Sequence, residues 1–499
     1  MRDTLSLLAP AGQLPIGAAW LAVPGAQDIV FPYDGSVVAQ APTSAVADSM
    51  TALDAAEVAR SEVAALTTAQ RKSVIMAVHD RVLADTDRLI ELLVLETGKP
   101  RVDCQTEVNR TVVTLQATAE EASRIHGETV PLDLQELGRG MIGYYSRKPA
   151  GVVIGIAGFN YPLLLATHKL APAIAAGCPV IVKPSPNTPL ATLELIAITR
   201  EVLTEHGITP AAVQLVNGAP EVGEALVRDS RSQVVSFTGS AKIGHLIAQQ
   251  AAPRKALLEL GSNTGFIVAA DADVDAAVEA VLRGGFYANG QACISAQRIV
   301  LERPIAAAFT ERLVARMSEL VVGDPRDPAT NVAPVINAAS GERIRAMIAR
   351  AIAGGATSLT GVGAAAETPL GSGADAAAMV QPTVLANVPT DVDAWTEEIF
   401  GPVVCLTSVD SMDEAIDLVN ASRYGLQAAI FTASLESAFA AIERLEVGGV
   451  VVNEIPGFRS DIMPYGGVKD SGIGREGPRY AIEEYTVTRM AMIRPKARS

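Results

Sequence analysis

Cysteine is scarce in this chain, with four residues in 499: Cys104, Cys178, Cys293 and Cys405. They form no Cys-x-x-Cys pair and no Cys/His zinc spacing, so neither a disulfide framework nor a bound metal is expected. So few thiols in so long a chain point to a reducing compartment. Positive charge is also short: 40 Lys and Arg face 55 Asp and Glu, a formal net charge of −15 spread along the chain. That balance argues against nucleic acid or an anionic membrane as partner. It leaves open the local charge of a pocket. Long apolar runs are missing as well. The longest, Pro162 to Val182, is interrupted by His168 and Lys169 and by proline and glycine. It makes a poor membrane span but a good buried helix followed by a strand. Residues Met1 to Leu21 lack the basic region, apolar core and small-residue cleavage site of a signal peptide. The expected location is cytoplasmic.

What is present is a globular composition, 49% apolar and 19% charged. At roughly 100–200 residues per domain, the length predicts two to four domains. The middle of the chain alternates strand and helix patterns. Val152–Ala157 is a short apolar run bounded by glycine, as in a strand covered on both faces. A helix is predicted from Leu163 to Ala176, with Gly177 as its stop. Val180–Lys183 follows, then a helix with Thr188 as N-cap and Pro189 in its first turn, ending near Gly207. Strand patterns at Val213–Val216, Val234–Phe237 and Ala256–Leu260 alternate with helices after Pro220 and from Ser240. This is the pattern of a doubly wound parallel α/β sheet, whose ligands sit at the carboxyl ends of the strands. After Gly261 a second α/β series begins. Phe266–Val268, a helix Val274–Ala288, Arg298–Leu301, Val403–Leu406 and Val450–Asn453 belong to it. Residues 127–149 are polar, with an apolar-aromatic patch at Met141–Tyr145, and Tyr485–Met492 alternates like a strand. Such an excursion and tail either meet another subunit's sheet edge or form an ordinary surface hairpin. The Ala/Gly-rich segment 353–378 reads as loop-rich surface.

The chemistry-bearing residues gather at strand ends. Cys293 lies in Gly290-Gln291-Ala292-Cys293. A lone cysteine is usually an apolar filler, and the residues around it make the case for a nucleophile. Asn160, in Phe159-Asn160-Tyr161-Pro162, follows a buried strand, where its amide suits an oxyanion or caps a loop. Glu259 closes an apolar strand ahead of Gly261. Burial there raises a carboxyl pKa toward the range of a general base, or demands an ion pair. Phe237-Thr238-Gly239-Ser240 leads from a strand into a helix start, a natural phosphate site, with Gly244 inside that helix. Lys183 reaches the same sheet edge. Gly472-Ile473-Gly474-Arg475-Glu476-Gly477 matches a dinucleotide fingerprint in letters only, because no strand and βαβ unit precede it.

Together these residues resemble the aldehyde dehydrogenase superfamily over nearly the whole chain. Its motifs occur in order: Glu96-Thr97-Gly98-Lys99-Pro100, FNYP at 159–162, KPS at 183–185, FTGS at 237–240, ELG at 259–261 and GQAC at 290–293. Glu397 to Pro402, Pro464 to Gly467 and Lys469 to Gly472 complete the set. The resemblance implies a Rossmann-like NAD(P)-binding domain from 1–126 and 150–261 and a catalytic domain from 262–460. It further implies an oligomerisation element from 127–149 and 480–499, and a return segment 461–479 to the cofactor domain. A homodimer or homotetramer is expected. Cys293 would form a thiohemiacetal and then a thioester, with Asn160 on the oxyanion and Glu259 as general base. Lys183, Ser185, Gly239, Ser240, Gly261, Glu398 and Phe400 would hold NAD or NADP. Two positions depart from the common pattern. Ser262 replaces a second glycine after ELG, and Pro186 stands where NAD-preferring members often carry glutamate, so both cofactors remain open.

Among subgroups the chain looks most like the non-phosphorylating glyceraldehyde-3-phosphate, lactaldehyde, phosphonoacetaldehyde and semialdehyde dehydrogenases. Arg110, Tyr161 and Arg459 carry that likeness and imply a small anionic or hydroxylated aldehyde. Ala292 occupies the place of an arginine that some of those relatives set before the nucleophile. Guanidinium forks suit oxoanions; alternatively Arg110 is an ion-paired helix residue and Arg459 a loop contact to Asp461 or a neighbouring subunit. Three other readings compete: a CoA-acylating dehydrogenase, a cysteine hydrolase using Cys293 and Glu259, and a binding protein that kept the fold. Glu259 disfavours the first, and the FTGS and EIFGP segments disfavour the second.

Overall fold

The computed structural model describes residues 7–363 and 375–495. Its centre is a six-stranded sheet in the order Gly472–Ile473, Lys255–Glu259, Ser232–Thr238, Val152–Ile156, Val180–Lys183, Val213–Leu215. All neighbours are parallel except the short edge strand Gly472–Ile473, which runs antiparallel to Lys255–Glu259. Chain order runs outward in both directions from Val152–Ile156. The switch point therefore falls between that strand and Ser232–Thr238. Parallel strands diverging there leave a crevice beyond their carboxyl ends. The loops carrying Asn160 and Gly239 leave the sheet at this crevice. Gly158 is so close that a Cβ on it would lie 3.4 Å from the Thr238 carbonyl oxygen.

The helices of this layer match the apolar patterns, with one correction. Pro162–Ala176 is buried along its whole length and ends at Gly177 in the left-handed region, as its sequence predicts. The next helix runs Leu190–Glu205, and Thr188 does not cap it. The Thr188 hydroxyl donates instead to the Phe159 carbonyl at 3.2 Å. A distant carboxylate supplies the cap: Glu96 accepts from the N–H groups of Leu190 and Ala191 at 2.8 and 2.9 Å. Glu107 does the same for Leu163 and Leu164 at 2.9 and 3.2 Å. These caps come from other helices, so local sequence does not reveal them.

A seven-stranded sheet forms the second layer, in the order Thr357–Thr360, Thr383–Ala386, Val403–Val409, Arg298–Glu302, Gly265–Val268, Gln427–Phe431, Gly449–Val452. It is parallel apart from Thr357–Thr360. That edge strand lies inside the segment expected to be loop-rich, of which residues 364–374 lie outside the described residues. The helix expected over Val274–Ala288 stops at Phe286. Ala288, Asn289 and Gly290 then take left-handed φ of 47°, 60° and 68°. This turn swings the chain toward Cys293. Finally, Ile142–Pro149 pairs with the tail strand Thr486–Ile493 as an antiparallel ribbon. Among the described residues no helix is long and apolar enough to cross a membrane.

Candidate active site

The crevice at the switch point opens into a cavity of ≈ 530 Å³ between the two sheets. Asn160, Tyr161, Gly239, Ser240, Glu259 and Gly261 line it from the six-stranded side. Cys293, Glu398, Phe400, Arg110 and Arg459 complete the set of sequence-selected residues brought together there. Lys183 and Ser185 are not among the lining residues. Lys183 is buried at its strand end, donates to the Pro184 carbonyl at 3.5 Å, and is pushed down to about 8 by burial. Ser185 accepts from the Asn187 N–H at 3.3 Å.

Cys293 is half-buried, and its Sγ lies 3.2 Å from the Tyr465 hydroxyl. Burial pushes the thiol up to about 11, against the opposing pull of the Tyr465 hydrogen bond. At neutral pH the resting group is a thiol. The loop that carries it is fixed on both sides. Asn160 Nδ2 donates to the Gln291 carbonyl at 2.8 Å. A Cβ on Gly290 would meet the Gly401 carbonyl oxygen at 2.1 Å, so the turn demands glycine there. GQAC and EIFGP are thus two sides of one contact.

Glu259 is 4% exposed, and neither carboxylate oxygen has a hydrogen-bond partner among the described residues. Burial, with the nearby Glu476 carboxylate, raises its pKa well above the ordinary range. Glu476 is the ionised partner. His168 Nδ1, Lys169 Nζ and Arg459 Nη2 lie 2.9, 2.7 and 3.1 Å from it and hold its pKa well down. Two adjacent buried carboxyls thus diverge, one neutral and one charged. Lys169 also donates to Thr238 Oγ1 at 2.6 Å.

Toward the other end of the cavity, Ser240 precedes the 11-residue helix Ala241–Ala251, whose first N–H groups have no side-chain cap. Gly244 lets this helix sit on its strand, since a Cβ there would fall 2.2 Å from Leu260 Cδ2. Gly261 meets Glu398 as closely: a Cβ would be 2.3 Å from Glu398 Oε2. Glu398 Oε1 accepts from the Ser262 N–H at 2.9 Å, and burial raises its pKa to about 7. The Ser262 N–H serves Glu398 as a glycine's there would, while its hydroxyl oxygen also accepts from Thr264 Oγ1 at 3.4 Å. Phe400, at φ 52°, meets Phe159 edge-on at 5.6 Å.

The two arginines selected for substrate are both ion-paired. Arg110 donates twice to Asp461, at 3.2 and 2.6 Å. Arg459 pairs with Glu476 and stacks on the Tyr465 ring at 3.7 Å. Tyr161 lies under Lys99, whose Nζ is 3.8 Å from its ring centroid and which pairs with Glu107. Lys99 and Glu96 of the ETGKP motif thus act as supports behind the cavity wall. Reading the sequence missed Tyr465, Glu476, His168 and Lys169, and Tyr287, which also lines the cavity. Two of them left a signal: His168 and Lys169 are ionisable residues inside an apolar run. Glu476 sits in the rejected GxGxxG match, whose edge strand and buried carboxylate give it a different structural part.

The fold, the crevice and the ordered motifs define a class. The aldehyde dehydrogenase family model matches residues 21–491. The chain belongs to that family, and an NAD(P)-dependent aldehyde dehydrogenase is the enzyme class this membership defines. It is 40% identical over 425 residues to 3-sulfolactaldehyde dehydrogenase of Priestia aryabhattai, covering 85% of this chain and 86% of the relative. Aldehyde dehydrogenase 21 from Physcomitrella patens, solved with the reaction product succinate, superimposes with a TM-score of 0.90 at 35% identity, covering 97% and 98% of the two chains. Glyceraldehyde-3-phosphate dehydrogenase GapN from Methanocaldococcus jannaschii, solved with NADP, gives 0.89 at 33% identity, covering 95% and 100%.

Proposed function

We propose that the chain oxidises a small anionic or hydroxylated aldehyde to its carboxylic acid, using NAD or NADP, through a thioester on Cys293. One observation carries this reading. A half-buried thiol and a neutral, unpartnered carboxyl face the same cavity, and an uncapped helix N-terminus opens on its other end. That N-terminus fits a pyrophosphate, whose oxygens accept from free backbone N–H groups. Ser240 and Gly239 would hold it, Glu398 the nicotinamide ribose beside Gly261, Phe400 the ring's flank, and Lys183 with Ser185 the adenosine end. When bound, the nicotinamide supplies a hydride acceptor. Pro186 offers no acidic side chain against a 2′-phosphate, so both cofactors are accommodated.

The chain's own residues do the rest. Cys293 releases its thiol proton to solvent, the thiolate bonds the aldehyde carbon, and the carbonyl π pair moves to oxygen. Asn160 Nδ2 and the Cys293 N–H hold that oxyanion. Loss of hydride from the same carbon leaves the thioester. Glu259, once it has released its own proton to solvent, takes a proton from water, whose oxygen attacks the acyl carbon. The C–S bond breaks, and the acid departs with the thiolate restored. Glu259 is also why hydrolysis is preferred here over transfer to CoA. Arg110, Tyr161 and Arg459 would grip the substrate's polar end. Names of relatives support the anionic class: one acts on sulfolactaldehyde, one on glyceraldehyde-3-phosphate, and one was solved with succinate.

The test follows cofactor reduction across succinate semialdehyde, sulfolactaldehyde, glyceraldehyde-3-phosphate, lactaldehyde and benzaldehyde, each with NAD and NADP. Anionic or hydroxylated aldehydes should give the highest kcat/KM. Cys293→Ala should abolish turnover and leave cofactor binding within about threefold, because the thiol lies on the reaction path and not on the cofactor's. Benzaldehyde as the best substrate would refute the substrate class. Turnover by the alanine variant would refute the mechanism.

A further inference from the structure

Most polar groups near Cys293 already have a partner. The Tyr465 hydroxyl lies on Sγ at 3.2 Å, and Asn160 Nδ2 donates to the Gln291 carbonyl at 2.8 Å. Arg110 and Arg459 are ion-paired. Two phenol hydroxyls on the cavity wall differ. Those of Tyr161 and Tyr287 have no hydrogen-bond partner among the described residues, and both open into the cavity. Burial pushes the ionisation of both up, so each keeps its proton and can donate. Their neighbours separate them. Among ionisable groups, Cys293 acts most strongly on the Tyr287 hydroxyl, and Arg110 follows. Tyr161 looks instead on Asp103, on Tyr287 itself and on Arg110. Tyr287 is therefore the free donor on the thiol's side.

The fold fixes that hydroxyl in place. Tyr287 stands between the end of helix Val274–Phe286 and the left-handed turn Ala288–Gly290. The first N–H of that turn, on Ala288, donates to the Asp103 carboxylate at 2.9 Å. Gly457, also on the cavity wall, faces the phenol from the other side. A Cβ on Gly457 would lie 2.8 Å from the Tyr287 hydroxyl oxygen and 3.1 Å from its Cζ. Gly457 does not take a left-handed φ, so its missing side chain serves the tyrosine and not a turn.

An aldehyde carbon bonded to Sγ has few directions left. Its oxygen takes the Asn160 and Cys293 N–H donors, and its hydride leaves toward the end marked by Glu398 and Phe400. The remaining substituent meets the wall that carries Tyr287 and Arg110. We infer that Tyr287 is a specificity-determining residue: its hydroxyl donates to a hydroxyl oxygen on the carbon next to the aldehyde, so the site selects 2-hydroxyaldehydes. The inference rests on the thioester reading above and narrows its substrate class to the hydroxylated members, with or without an anionic group.

A matched pair of substrates tests it. Lactaldehyde and propionaldehyde differ only in the 2-hydroxyl. The native enzyme should favour lactaldehyde by about tenfold or more in kcat/KM, because propionaldehyde leaves the donor unpaired. Tyr287→Phe removes one oxygen and should bring the ratio to within about twofold of one, chiefly by slowing lactaldehyde. The ratio is read within each protein, so a general loss of activity cancels. A purely structural role for Tyr287 would lower both aldehydes together and leave the ratio fixed, which would overturn the inference. Should that variant not fold, Gly457→Ala decides: it displaces the hydroxyl without altering Tyr287, and an unchanged ratio again overturns the inference. A native ratio near or below one overturns it too. If succinate semialdehyde is then oxidised, the wider reading stands without the inference. Oxidation of no anionic or hydroxylated aldehyde would bring down both.

Discussion

Glu259 and Cys293 share a cause for their protonated rest state, burial against the cavity wall. Both must lose a proton to act, so the sign of the pH dependence follows. Turnover should rise from neutral into alkaline solution as each group ionises, and a maximum below neutrality would contradict the assignment. The stability sign is opposite. Their folded pKa values are raised, so the contribution of these neutral groups is full below the unfolded values. It is lost as pH rises through the folded ones. Glu259→Gln should give a burst of about one reduced cofactor per active site and then a stall, because acylation precedes water activation. Rapid-mixing absorbance reads the burst, and an undiminished steady state would remove Glu259 from that role. The sequence showed that a carboxylate closing an apolar strand is costly. Its escape from ionisation follows first from burial and then from the charge of Glu476, 217 positions later, which takes up three cationic or imidazole partners.

The helices that frame the crevice are capped from a distance. Glu96 is fully buried and satisfies two N–H groups at the start of Leu190–Glu205. Glu96→Ala would leave both without a partner in the interior. A cost of about 1–3 kcal/mol is expected, seen as a lower melting temperature. An unchanged melt would show that water replaces the carboxylate. The strands and helices that frame the site were legible because they are short apolar runs punctuated by glycine and proline. The start of Leu190–Glu205 is not legible locally: Thr188 has the side chain of a cap, but its hydroxyl donates to the Phe159 carbonyl. The turn at Ala288–Gly290 is only partly legible: Asn289-Gly290 is a turn dipeptide, but Ala288 at positive φ carries no sequence mark, and packing against Gly401 holds the turn.

Across the whole molecule, the ribbon of Ile142–Pro149 and Thr486–Ile493 is the feature least explained by the single chain. Ile142, Tyr144, Met492 and Ile493 on it are 52%, 43%, 63% and 45% exposed. A two-stranded ribbon with apolar side chains in water is marginal alone. We expect a second copy to cover it. Ile142→Lys with Met492→Lys should lower the mass seen by light scattering, and an unaltered oligomer would place the interface elsewhere. By itself the sequence determined the α/β class, the strand–helix alternation and the motif residues, because apolar periodicity and turn chemistry are local. It also marked Cys293, Glu259 and Asn160 as candidates, since each stands beside a strand end or glycine-marked turn. Tertiary structure alone decided which charges meet. The pairing of Arg110 with Asp461, 351 positions apart, and of Arg459 and Lys169 with Glu476 depends on three distant segments converging. Electrostatics depend on distance in space, and no local pattern encodes that distance.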